Sequence, residues 1–157
     1  MRIRSMTAVD YSVVKSILED TPEFNAIDLA VAYEVIKDYL EDPESGYITL
    51  VAEIDNQIKG YVCYGFNTST QSTWDIYWMA VSRSSRGQGI GTKLLAAAEN
   101  NIRAAKGTLM IIETSSTPLY DKTNRLYLYL GWKLDARIKD YYAPGDDLLI
   151  YEKRITH

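Results

Sequence analysis

The sequence predicts an α+β protein with its elements in the order β-α-α-β-β-β-α-β-α-β-β, and three observations carry that reading. Apolar residues recur at helical spacing in some segments and alternate or run together in others. Three glycines at every second position, in SRSSRGQGIGTKLL at 82–95, divide a strand-like segment from a helix-like one. The length of 157 residues, 46% of them hydrophobic and 24% charged, suits one domain with a core of its own, spanning 1–157.

The first strand is short, Ile3 to Ser5. Thr7 and Asp10 then make a capping-box-like start for a helix whose Val13, Val14, Ile17 and Leu18 fall at helical spacing. Val31, Val35, Ile36, Tyr39 and Leu40 repeat that spacing until Asp42-Pro43 stops a second helix. YITLVAEI, the turn residues DNQ and IKGYVCYGF form a hairpin, and the polar NTSTQST, 67–73, is a loop. WDIYWMAV, 74–81, is a third long strand. Regular alternation along it puts Trp74 and Trp78 on one face, reading as core, and Tyr77 on the other face with Asp75. After the glycines, Ile90, Leu94, Leu95, Ala98 and Ile102 share one face of a helix that ends near Gly107. TLMIIET is a buried type of strand, LYDKTNRLYLYL a helix stopped by Gly131, and WKLDARI and LLIYEKR are the final strands. The loop APGDD, 143–147, joins these two. Tyr141, Tyr142, Asp146 and Asp147 give it an aromatic and acidic character, which suits either a solvated turn or selection of a cationic amine.

Composition excludes several classes of function. A net charge of −4 argues against nucleic-acid binding, which usually needs a basic face. No run approaches the roughly 18 apolar residues of a membrane span, and MRIRSMTAVDYSVV lacks the apolar centre of a signal peptide, so a cytoplasmic location without membrane partners is expected. Cys63, the only cysteine, sits in the apolar GYVCYGF and reads as a buried, inert thiol. The only histidine is the last residue, His157. That removes a histidine base, a histidine-rich metal site and serine-histidine or cysteine-histidine hydrolysis, and no metal is expected.

The glycine run has a physical purpose at a helix start. The first N–H groups of a helix lack partners within it, and the aligned peptide dipoles make that end partly positive. Gly87, Gly89 and Gly91 remove the Cβ atoms that would hold an anion away, while Arg83, Arg86 and Thr92 offer charge and a hydroxyl. A Walker A loop needs glycine followed directly by lysine, but the order here is Gly91-Thr92-Lys93. The dinucleotide fingerprint G-x-G-x-x-G is also absent, since the run is G-x-G-x-G. What remains is a pyrophosphate cradle between a strand and a helix, or a glycine-rich turn without a ligand.

Val81, Arg86-Gly87-Gln88-Gly89-Ile90-Gly91 and Leu94-Leu95 together resemble the R/Q-x-x-G-x-G/A acyl-CoA motif of the GNAT superfamily of N-acetyltransferases. The order of elements is similar to that family's over nearly the whole chain. The resemblance implies a mixed, mostly antiparallel central sheet of six to seven strands flanked by about four helices. It implies acetyl-CoA as the acyl-donor cosubstrate, with Arg86, Gly87, Gln88, Gly89, Ile90, Gly91 and Thr92 at its pyrophosphate and the strand end Met79, Ala80 and Val81 along its pantetheine arm. LYLYLGW, 126–132, is similar to the family's L/F-Y-x-x-x-G-F/Y and so places Tyr127 at the tyrosine that protonates the leaving thiolate. The asparagine and alanine upstream in that motif are Tyr120 and Thr123 here. Helical spacing puts Tyr120, Thr123 or Asn124, and Tyr127 on one face, which makes Asn124 a further candidate contact to the cosubstrate. TWDIYWMAV, IETSS and DYYAPGDDLLIYEKR resemble a prokaryotic branch of the superfamily.

Acetyl transfer to an amine needs the neutral amine. At pH 7 an alkylamine with a pKa of about 10.4 gives up its proton at a cost of roughly 4 to 5 kcal/mol, so a base or a water chain is required. Two carboxylates are candidates. Asp75 lies on the strand before the cradle, and Glu113 follows the apolar LMII, where desolvation would raise its pKa. The acceptor is expected to be a small-molecule amine, with protein amino groups as a second class. A non-catalytic acyl-CoA-binding module of the same fold is the alternative, left open by Tyr120 and Thr123. Monomer and homodimer are both compatible with the sequence.

Overall fold

The computed structural model describes residues 1–157. Seven strands form one mixed sheet in the order β1-β2-β3-β4-β5-β7-β6, with four helices against its faces. The elements in chain order are β1 (Arg2–Ser5), α1 (Tyr11–Glu19), α2 (Ala26–Glu41), β2 (Tyr47–Ile54), β3 (Gln57–Phe66), β4 (Thr73–Val81), α3 (Ile90–Ala104), β5 (Leu109–Ser115), α4 (Asp121–Tyr129), β6 (Lys133–Ala143) and β7 (Asp146–Arg154). Every adjacent pair of strands is antiparallel except β4 with β5, which is parallel. The α+β class and the element order agree with the sequence reading. No helix is long and apolar enough to cross a membrane.

Two cores follow from the two faces of the sheet. Val14, Ile17 and Leu18 of α1 and Ala32, Val35 and Ile36 of α2 pack on Val51, Tyr61 and Cys63. Ile90, Leu94, Leu95, Ala98 and Ile102 of α3, with Tyr127 of α4, pack on Leu50, Val62, Ile76 and Ile112 of the other face. The helical spacing read from the sequence selects most of the buried stripe in each case, but Val13 and Val31, also at that spacing, are exposed. Cys63 is fully enclosed, and desolvation pushes its thiol up to about 12, as befits an inert core residue.

The two tryptophans of β4 do not share a face. Against β3, Cys63 pairs with Trp78 but Tyr64 pairs with Ile76, so Tyr77 is one residue too many and β4 bulges there. The bulge reverses the alternation. Trp74 packs with Tyr64 on the α3 side, while Trp78 meets Phe24 edge-on at 5.3 Å on the α1–α2 side. Tyr77 stays beside Tyr47, at 5.6 Å.

The last hairpin also departs from the sequence reading. Ala143 pairs with Asp146, so APGDD is no five-residue loop: the strands run up to a tight Pro144-Gly145 turn, with Gly145 at φ 81°. Tyr141 and Tyr142 belong to β6. Two irregularities in the pairing of β6 with β7 carry the extra residues that the alternation of WKLDARI did not foretell.

At the sheet's other end, Arg4 of β1 bonds both carboxylate oxygens of the buried Asp10, at 2.8 and 2.9 Å, and Asp10 also accepts the Thr7 N–H, at 2.8 Å. The Arg4 hydrogen bonds outweigh desolvation and hold the Asp10 carboxyl at about 2, below its ordinary 3.8. A depressed carboxylate contributes stability above its unfolded pKa and loses it as pH falls through the folded one. Asp10→Asn should therefore cost about 2 kcal/mol at pH 7 and little at pH 2, as read from denaturant midpoints at the two pH values.

Candidate functional site

β4 and β5 lie side by side only from Thr73 and Leu109 to Ile76 and Ile112. Beyond that point β4, bent by its bulge, continues along β3, and β5 continues along β7. The strands part, and the gap opens into a cleft of about 1060 Å³. Its walls come from the glycine loop and the start of α3, from α4, from the α1–α2 connection at 21–25, and from Tyr142 and Asp146 at the last hairpin.

The parted edge exposes backbone. The Ser82 N–H bonds the Lys59 carbonyl of β3 at 2.7 Å, so antiparallel alternation turns the N–H and C=O groups of Met79 and Val81 away from β3 and into the opening. The Val81 carbonyl accepts from Arg86 Nε at 3.4 Å. Ala80 faces the other way with its backbone, although it too lines the cleft.

At the head of α3 the first helical bond runs from the Lys93 N–H to the Gly89 carbonyl, at 3.1 Å, and the N–H groups of residues 87–92 find no acceptor in the protein. Gly87 and Gly89 hold φ of 80° and 77°, and a Cβ at either would meet open space. Both observations fit a phosphate-bearing ligand: bare N–H donors face outward at the positive end of a helix, with Arg86 beside them. Arg86 Nη2 also stands 3.7 Å from Glu23 Oε2. Arg86, Gly87, Gly89, Ile90, Gly91 and Thr92 line the cleft; Gln88 does not, and Arg83 turns to Asp20, 3.9 Å away.

On the opposite wall, Tyr127 of α4 is packed against Trp132 and Tyr151 and also borders the cleft, so it is both a core residue and a cleft residue. Burial pushes its phenol well above the ordinary tyrosine range. Tyr120 and Thr123 border the cleft with it, and the Tyr120 hydroxyl donates to the Glu23 carbonyl at 3.4 Å. Asn124 is different. Its side chain accepts from Thr114 Oγ1 at 2.7 Å and donates to the Ser115 carbonyl at 3.1 Å, tying α4 to β5 outside the cleft. Of the two positions that helical spacing offered, Thr123 faces the opening.

The two carboxylates proposed as bases have unlike surroundings. Asp75 is half-buried, and desolvation raises its pKa, with Asn67 partly offsetting this. Tyr77 stands close enough for Asp75 to help push its phenol up to about 12, after desolvation. Glu113 is exposed at the rim, so the desolvation expected from LMII is not there: β5 turns that side chain outward while its neighbours Ile112 and Thr114 are buried. Asp147 is buried within the hairpin, accepting from Arg137 Nε at 2.6 Å and from the Asp140 N–H at 2.9 Å. It orders the hairpin, and its neighbour Asp146 borders the cleft. Glu23, Phe24 and Asp28 are cleft residues that the sequence reading did not single out, because neither a short connection between helices nor the first turn of α2 carries a local signal of what it faces.

The profile of the acetyltransferase (GNAT) family matches residues 12–132. A protein of Desulfovibrio desulfuricans assigned to the same family superposes with a TM-score of 0.91 at 32% identity, covering 99% of each chain. An uncharacterized N-acetyltransferase of Methanocaldococcus jannaschii is 25% identical over 84% of this chain and 89% of its own length. The L-2,4-diaminobutyric acid acetyltransferase of Virgibacillus pantothenticus is 28% identical over 62% of each.

Gly89→Val places a β-branched side chain at positive φ among the outward N–H groups. It should weaken coenzyme A binding about tenfold or more, measured by calorimetry. Unchanged affinity would remove the loop from the binding site.

Proposed function

This chain belongs to the acetyltransferase (GNAT) family, and we propose that it moves an acetyl group from acetyl-CoA to a primary amine by direct attack on the thioester. The observation that carries this reading is the parting of β4 from β5, because one opening gives access to the outward N–H groups of Gly87 and of residues 89–92, to Tyr127 and to Asp75. The relative named for L-2,4-diaminobutyric acid supports a small amine as acceptor.

In this reading the N–H groups of residues 87–92 and Arg86 hold the pyrophosphate, and Met79 and Val81 offer main-chain groups to the pantetheine arm. When bound, acetyl-CoA supplies the activated acetyl group. Asp75 takes a proton from the amine, directly or through a water. Desolvation raises its pKa, and it is the more enclosed of the two carboxylates, Glu113 being exposed at the rim. An unpaired N–H of β4 stabilises negative charge on the acetyl oxygen. Tyr127, kept protonated by burial, gives its proton to the departing sulfur. No side chain forms a covalent bond with the acetyl group, and Cys63, enclosed in the opposite core, takes no part.

Two variants separate these roles. Tyr127→Phe should lower kcat about tenfold or more while leaving coenzyme A affinity close to that of the parent, because it removes a proton and little packing. Asp75 acts only when ionised, so kcat/KM should fall as pH drops through its raised pKa. Asp75→Asn should lower kcat/KM and abolish that acid limb of the profile. An identical limb in the variant would move the base elsewhere.

A further inference from the structure

The cleft carries charge unevenly. Five carboxylates line it, those of Glu23, Asp28, Asp75, Glu113 and Asp146, against two cations, Arg86 and Lys122. Arg86 belongs to the cradle and stands beside Glu23, so that pair is partly neutralised. Asp28 of α2, Glu113 of β5 and Asp146 of β7 come from three separate elements, and none of them forms an ion pair with any residue of the chain. Lys122, exposed on the first turn of α4, pairs with none of the three.

These carboxylates share the cleft with two tyrosines. Tyr142 of β6 feels the charges of Glu113, Asp146 and Asp28, and Tyr120 those of Asp28 and Glu23. Each of the three unpaired carboxylates retains bonding capacity. Asp28 spends Oδ2 on the Asn25 N–H as a helix cap, and Asp146 spends Oδ1 on the Ser115 hydroxyl. The other oxygen of each has no protein donor, and Glu113 has none at either oxygen. Like charges gathered along one cleft repel one another, and a cation placed among them relieves that repulsion. Aromatic faces beside carboxylates add attraction for an ammonium group.

Resting on the acetyl-transfer reading above, we propose that the acceptor is a small diamine or polyamine, its second, protonated nitrogen held by Asp28, Glu113 and Asp146 against Tyr142. The first nitrogen, uncharged, forms the new N–C bond to the acetyl carbon as the C–S bond breaks. Its proton passes to Asp75, and Tyr127 returns a proton to the sulfur. The distal ammonium is unchanged by the reaction. It also helps the chemistry, since a nearby positive charge lowers the pKa of the reacting nitrogen. A peptide acceptor is a poorer match, because the recognition groups proposed here are carboxylates from three elements together with tyrosine rings, and not a row of backbone donors and acceptors.

The test is free-thiol release from acetyl-CoA by the full chain with putrescine, cadaverine and spermidine, each against n-butylamine, and with a short peptide bearing a free amino terminus. At least one of the di- and polyamines should exceed n-butylamine in kcat/KM about tenfold or more at low salt, with the ratio shrinking as ionic strength rises. Asp146→Asn should shrink that ratio severalfold, and because the ratio compares two substrates on one protein, a general loss of activity cancels from it. Equal kcat/KM for all the amines, or a preference for the peptide, would overturn the diamine proposal and leave acetyl transfer standing. Absence of thiol release with every amine would overturn both.

Discussion

Everything about this cleft depends on one extra residue in a strand. Tyr77 has no partner of its own on β3, and the bulge it creates bends β4 just where its pairing with β5 ends at Ile76 and Ile112. Unpaired main-chain groups at the middle of a sheet are costly unless something else meets them. Here they are left facing an opening of about 1060 Å³, beside a helix start whose own N–H groups are equally bare. The fold thus concentrates its unsatisfied backbone in one place and offers it to a ligand.

The side chains around that opening carry charge of both signs. The glycine loop has the helix dipole, the bare N–H groups and Arg86, which suit phosphate. Asp28, Glu113, Asp146 and two tyrosines line the same opening and suit an ammonium group. Asp75 and Tyr127 also line the cleft, the one half-buried and the other closely packed, and each has a pKa raised by its own surroundings. Asn124 and Asp147, though polar and close by, serve the scaffold: one fixes α4 to β5, and the other orders the last hairpin.

How much of this is legible in the sequence depends on whether a feature is local. The helices show as apolar stripes, and Val14, Leu18, Leu94 and Ile102 are buried as their spacing requires. The cradle is legible too, since glycines at a helix start express a backbone need that no side-chain contact can disguise. Period-two alternation puts Trp78 on the wrong face because it cannot reveal a bulge, which is set by pairing with another strand. The length of β6 escaped for the same reason. Glu113 follows an apolar run yet sits at the rim, because alternation buries its two neighbours and the parting strands leave its own side open. The contribution of residues 21–25 and Asp28 is purely tertiary, fixed by how α1 and α2 pack across the sheet.

The central claim is that the parted edge of β4 and the bare start of α3 form one binding surface for acyl-CoA. Residue-resolved amide hydrogen exchange with and without coenzyme A tests it most directly, since unpaired N–H groups exchange fast until something binds them. The account predicts slowed exchange at Met79, Val81 and residues 87–92 together. Protection elsewhere, with these amides unchanged, would contradict it.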